Sequence, residues 1–235
     1  MSKVRSVFEA ASRGNVPWLR QIIEKEKSAV LIRDGDGMTP LMYAVEQGRT
    51  KAVEILIQSG ADPHTRDFVG DPVLFYALFG EEGISLEIVD LLMQSGVTVN
   101  SENKEGKTSI HIAAICDDVE TSSFLVGMGA DINKRDSEGR TPLFHAVSED
   151  SERVTILLAD VGAEIDQCDN LGRTALMIAC QRKLPKVVDH LVNAGANVCK
   201  MDRSGKMPID YFEQSEVIPR ILCKKIAEDI KHRTF

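Results

Sequence analysis

A chain of 235 residues with 43% hydrophobic and 27% charged side chains has the make-up of a folded, soluble protein of one or two domains. No stretch approaches the roughly 18 apolar residues of a membrane span, and charges run through the opening residues, so neither a membrane anchor nor a secretory leader is expected. A net charge of −8, from 28 basic and 36 acidic residues, disfavours a nucleic-acid partner, and five cysteines without a Cys-x-x-Cys pair fit a reducing compartment inside the cell.

Residues 1–38 read as a first helical unit. Val7, Ala10, Leu19, Ile22 and Ile23 share a helical apolar face, Pro17 opens the second helix, and Asp34-Gly35-Asp36-Gly37 is a turn tip. A second unit, 39–71, starts at Thr39-Pro40-Leu41 and is expected to bury Leu41, Ala44, Val53, Leu56 and Ile57. The third, 72–107, departs from that form. Pro72 stands where threonine is usual, and three extra residues fall within 80–85, which reads as a solvated bulge carrying Glu81 and Glu82. Units 108–140, 141–173 and 174–206 follow, and 207–235 is expected to be an atypical cap. There Phe212 replaces a small alanine, and a helix over 218–230 turns Lys224, Lys225, Glu228 and Asp229 outward.

The clearest copy is Asp136-Ser137-Glu138-Gly139-Arg140-Thr141-Pro142-Leu143-Phe144-His145-Ala146. Gly139 allows a positive φ, Thr141 can accept an orphan N–H as helix N-cap, and Pro142 fits the first helical position. Counted on the threonine, the starts at 39, 72, 108, 141, 174 and 207 are spaced by 33, 36, 33, 33 and 33 residues. A second set of glycines (Gly60, Gly96, Gly129, Gly162, Gly195) closes the second helix of five units.

A period near 33 with Thr-Pro-Leu-x-x-Ala resembles the ankyrin-repeat family over essentially the whole chain. The resemblance implies an all-α solenoid of stacked helix-turn-helix units in one domain, 1–235, with β-turn or hairpin fingers along one edge. It further implies a non-enzymatic scaffold or adaptor, binding a partner protein on the concave face and finger tips. In size and repeat number the chain is also similar to gankyrin-type proteins, which gives the alternative of a regulatory chaperone or inhibitor docking on a larger assembly.

Searches for chemistry return turns instead. Gly106-Lys107-Thr108 lacks the glycine five residues earlier that a phosphate loop requires, and the turn over 34–37 lacks the third ligand of a calcium loop. No catalytic residue, cofactor or metal is therefore expected. The surface positions predicted to meet a partner are apolar at Phe68, Val69 and Phe79, where burial of Phe79 under the neighbouring insertion is an equal alternative. They are basic at Lys107, Arg140, Arg173, Arg182, Lys183, Arg203 and Lys206, with Arg33 and Arg135 in equivalent places. Such a stripe would suit an acidic segment, although interleaved glutamates dilute it. From the family resemblance, His111 would bond between neighbouring turns. Asn133 (with Leu125) and Asn100 (with Leu92) would match asparaginyl-hydroxylase sites. A monomer in the cytoplasm, with the nucleus as a second location, completes the expectation.

Overall fold

The structure, a computed structural model, describes residues 3–80, 83–212 and 217–232. Glu81 and Glu82 lie outside the described residues, as do residues 213–216 and the side chains of Glu228 and Asp229. All regular elements are helical, and two isolated β-bridges, Arg66 with Pro72 and Cys168 with Thr174, close individual fingers. Cα packing divides the chain into two compact units, one ending at Ser109 and one beginning at Ile110.

The first unit holds α1 (Lys3–Ser12), α2 (Val16–Lys25), a 3₁₀ turn (Lys27–Leu31), α3 (Pro40–Glu46), α4 (Thr50–Gln58), α5 (Val73–Phe79) and α6 (Leu86–Gln94). The helices start where the sequence supplies acceptors. Asn15 accepts the Trp18 N–H at 3.2 Å and Thr39 accepts that of Met42 at 3.3 Å. Pro72, which has no such side chain, still marks the start of α5 through its fixed backbone. First helices stack as α1 on α3 on α5, second helices as α2 on α4 on α6. Leu19, Leu41, Leu56, Leu74, Ile88 and Leu92 are fully enclosed between them. Ile57, expected in this core, is only half-buried; the face is completed by Ile55.

The second unit repeats the arrangement with α7 (Ser109–Ile115), α8 (Val119–Gly127), α9 (Pro142–Ser148), α10 (Glu152–Asp160), α11 (Ala175–Gln181) and α12 (Pro185–Asn193). A second 3₁₀ turn (Pro208–Tyr211) and α13 (Val217–His232) follow. Here α9 packs on α11 and α11 on the 3₁₀ turn, while α8, α10, α12 and α13 form the second row. Here α8, α10 and α12 each close on a glycine with positive φ, for example Gly162 at 92°, which lets the Ala163 N–H reach the Leu158 carbonyl at 2.9 Å.

The small residue in each first helix explains the last unit. Ala44, Ala77, Ala113, Ala146 and Ala179 are at most 1% exposed, because neighbouring first helices approach too closely for a larger side chain. Phe212 cannot enter that space, so the helix stops as a 3₁₀ turn at Tyr211 and Phe212 stays half-buried beyond it. Ala146→Leu would overpack α9 against α11 and should lower stability by about 1–3 kcal/mol, read as a lower urea midpoint.

Candidate protein-binding face

Each finger is built around one side-chain oxygen. Oδ1 of Asp34 accepts the N–H groups of Asp36 and Met38 at 3.0 and 2.9 Å, Asn103, Asp136, Asp169 and Asp202 repeat this within their own fingers, and Asp67 accepts those of Gly70 and Asp71. The carbonyl of the residue four positions on accepts the aspartate's own backbone N–H, as in Asp136 N–H to Arg140 at 2.9 Å. A short polar side chain is required here because a tight turn leaves donors that no ladder can satisfy.

The second oxygen is held by a donor nine residues further on. Tyr43 donates to Asp34 at 2.7 Å, Tyr76 to Asp67 at 2.7 Å, His145 Nε2–H to Asp136 at 2.7 Å, and Tyr211 to Asp202. Burial alone would raise the Asp34 and Asp136 carboxyls, but these donors and the finger amides hold both below the ordinary carboxylate range. Asp202 is held well below it, first by Tyr211. The phenols move the other way. The bond to Asp34, then burial, pushes Tyr43 up to about 12; burial, then Asp202, does the same for Tyr211.

Neighbouring fingers are stapled within each unit. In the first, Phe68 N–H donates to the Asp36 carbonyl at 2.9 Å, Arg33 reaches the carbonyls of Gly37 and Arg66, and Lys104 reaches that of Phe68. In the second, Asn170 N–H reaches Glu138, Arg203 N–H reaches Leu171, and Arg135 spans the Gly139 and Cys168 carbonyls at 3.1 and 2.9 Å. Arg33 and Arg135, expected as partner-facing, are therefore engaged in holding fingers together. His111 does bond between turns, its Nε2–H donating to the Arg140 carbonyl at 3.3 Å, and its ring meets that of His145 edge-on at 5.6 Å.

The predicted basic residues fall into two sets. Lys107 pairs with Glu105 at 2.7 Å, Arg140 with Glu138, Arg173 with Asp169 through two nitrogens, and Arg182 with Asp150 through two. Arg140 and Arg173 also flank the Phe144 ring at 5.7 and 5.8 Å. Arg203, Lys183 and Lys206 are exposed, and among the described residues none of the three meets a carboxylate.

Of the apolar set, Phe68 and Val69 are 58% and 69% exposed at a finger tip, with Leu171 at a matching tip in the second unit. Gly37 lies directly beneath Phe68, where a Cβ would come within 2.6 Å of its ring. Phe79 is half-buried at the end of α5 with its edge against Phe75, apart from that tip in the chain and facing its own helix. Asn133 accepts the Glu164 N–H at 2.8 Å and is half-buried; Asn100 is exposed. Among the described residues no group of three or more metal-ligating side chains occurs, and no helix is long and apolar enough to cross a membrane.

The buried histidine pair gives a pH dependence. Burial, then the neighbouring His145, pushes His111 down from 6.5 to about 4, against the Arg140 carbonyl and the Asp136 carboxylate. Above the unfolded value the neutral ring is matched to its site. As pH falls from 7 toward 4 the unfolded chain takes up the proton first, so stability is lost across that window. The loss should be about 3 kcal/mol. Urea midpoints measured from pH 7 to 4 should fall, and His111→Gln, which keeps an N–H donor, should flatten the fall.

The fold and its fingers have known counterparts. The family profile described as ankyrin repeats matches in three copies, at residues 6–67, 74–169 and 128–202. Among solved structures, the ankyrin-repeat domain of Bcl-3, described as a member of the IkappaB protein family, superposes with a TM-score of 0.79 at 27% identity, covering 93% of this chain and 97% of that one. An ankyrin-repeat domain from Acinetobacter baumannii gives 0.66 at 28% identity, covering 81% and 98%. Ankyrin repeat and SAM domain-containing protein 6 of Rattus norvegicus is 30% identical over 116 residues, 49% of this chain. That alignment takes in only 13% of the rat protein. Ankyrin repeats mediate protein–protein interaction and are typically non-catalytic.

Proposed function

The chain belongs to the ankyrin-repeat family, and from that premise we propose that it is a non-enzymatic scaffold or adaptor, receiving a partner protein on its finger tips and first helices. The supporting observation is the contrast between finger and tip. Backbone donors and carboxylates are consumed inside each finger, so the tip side chains stand on a frame that does not need them. Phe68, Val69 and Leu171 then offer apolar anchors, the residue type that carries binding energy when enclosed. Arg203, Lys183 and Lys206 offer charge for an acidic segment of the partner. Arg140, Arg173, Arg182 and Lys107 contribute less, since an intrachain carboxylate already meets each. In this reading the protein works as a monomer in the cytoplasm or nucleus, without binding nucleic acid. Asn133 and Asn100 are candidates for hydroxylation.

Reversing Arg173 would set a glutamate against Asp169 and disturb the fold, so the test uses side chains outside the frame. The immobilised chain should retain one dominant protein from cell extract. Phe68→Ser with Val69→Ser, or Arg203→Glu, should weaken that retention at least tenfold, with melting unchanged. Equal retention by both variants would contradict the proposal.

A further inference from the structure

The side chains at the tip of a finger are not dictated by its frame. The same turn carries Gly35-Asp36, Lys104-Glu105, Ser137-Glu138, Asn170-Leu171 and Arg203-Ser204, so a polar pair serves it as well. The finger 67–71 carries Phe68-Val69 instead, 58% and 69% exposed, which leaves apolar surface in water. That pair is held on both sides. The Phe68 N–H donates to the Asp36 carbonyl at 2.9 Å, and its ring lies on Gly37, where a Cβ would come within 2.6 Å. Lys104 donates to the Phe68 carbonyl, and its methylenes cross Gly70, where a Cβ would collide with them. A side chain fixed in this way loses little freedom when a partner encloses it.

Carboxylates surround this anchor. Asp36 and Glu105 are exposed at the matching tips of the fingers on either side. Asp71 ends the same turn and accepts the Asn103 amide at 3.0 Å, and Glu46 closes α3. The phenols of Tyr43 and Tyr76 register the field. At Tyr43 the bond to Asp34 and then burial raise the pKa, and Glu46 and Asp36 add to the rise. At Tyr76 burial and then Asp67 act first, with Asp71 and Glu46 behind them. The cations of these fingers are committed to the frame. Arg33 reaches the carbonyls of Gly37 and Arg66, Arg66 that of Gly70 at 3.4 Å, and Lys107 meets Glu105 at 2.7 Å.

We propose that the finger tips of the first unit receive a segment of the partner protein in which bulky apolar residues stand beside lysine or arginine. Phe68 and Val69 seat the apolar side chains, and Asp36, backed by Asp71 and Glu46, meets the cation. A carboxylate is the poorer fit here, because Arg33, Arg66 and Lys104 would first have to leave backbone carbonyls to reach it. An anionic bilayer is disfavoured as well, since its surface charge would face Asp36 and Glu105. The inference rests on the reading that finger tips receive a partner protein. It names the chemistry met by the first unit, a different stretch of that partner from the acidic one read for Arg203.

The probes are three capped peptides titrated into the isotopically labelled full chain: Gly-Lys-Leu-Leu-Lys-Gly, Gly-Glu-Leu-Leu-Glu-Gly and Gly-Lys-Ser-Ser-Lys-Gly. Backbone amide shifts of Asp36, Phe68, Val69, Gly70 and Asp71 are the readout. The lysine–leucine peptide should give saturable shifts there, with an affinity at least about fivefold higher than either of the others. Val69→Ser and Asp36→Lys should each weaken it at least about fivefold with unchanged melting, because both are exposed tip side chains. A glutamate–leucine peptide that binds these amides as tightly, or an Asp36→Lys chain that binds like the parent, would overturn the charge preference. Shifts produced by phosphatidylcholine–phosphatidylserine vesicles and by no peptide would assign the tip to a bilayer and overturn the proposal. If no probe moves these amides while the parent chain still retains a protein from extract, the partner reading stands and this assignment of the first unit's tips falls.

Discussion

One side-chain oxygen, of Asp or Asn, facing two backbone N–H groups is the contact on which each finger depends. A turn of five residues between helical pairs leaves amides with no regular partner, and a buried unpaired amide costs about as much as a lost hydrogen bond. The Asp or Asn at positions 34, 67, 103, 136, 169 and 202 removes that cost with a side chain short enough to stay inside the turn. The charge must then be satisfied on its other side, and this second requirement shapes the repeat. Where position nine carries Tyr or His, the donor comes from the following helix. Where it carries isoleucine, the chain adapts. Asp169 is met by Arg173, and at 103 the aspartate gives way to Asn103, whose amide donates to Asp71 at 3.0 Å.

That adaptation separates frame from surface. Charges that look like a binding stripe in one dimension are partly consumed in three, since Arg173 completes a finger and Arg182 completes a helix link. Arg33 and Arg135 join carbonyls of adjacent fingers within their own units. The groups left over are few and sit at tips or at the unit where the pattern runs out. A repeat protein that stacks by local contacts can vary those positions without disturbing its core, because no long-range packing depends on them.

Much of the architecture was legible in the chain itself. The period, the Thr-Pro starts and the closing glycines follow from local backbone demands that only a few residue types meet, and Thr39, Thr141 and Thr174 cap as their position implies. The Asp-to-Tyr/His spacing of nine was also present, at 34/43, 67/76, 136/145 and 202/211, but it is visible only when the repeats are aligned on the turn instead of the helix. The candidate face was less legible. Arg140 and Arg173 are paired by carboxylates close by in the chain, but the partner of Arg182, Asp150, stands about one repeat away. Single-residue packing depends on neighbours in the same way. Ile57 is half-buried while Ile55 on the same helix is buried, and Phe79 is half-buried with its edge against Phe75 of its own helix.

The direct measurement is amide hydrogen exchange in the fingers of the parent chain and of Asp136→Ala. If the side-chain oxygen holds the turn, the Glu138 and Arg140 amides are protected in the parent and exchange at least a hundredfold faster in the variant, while α9 and α11 keep most of their protection. Unchanged protection at those two amides would mean that the finger is held by something other than its carboxylate, and that the repeat does not depend on this contact.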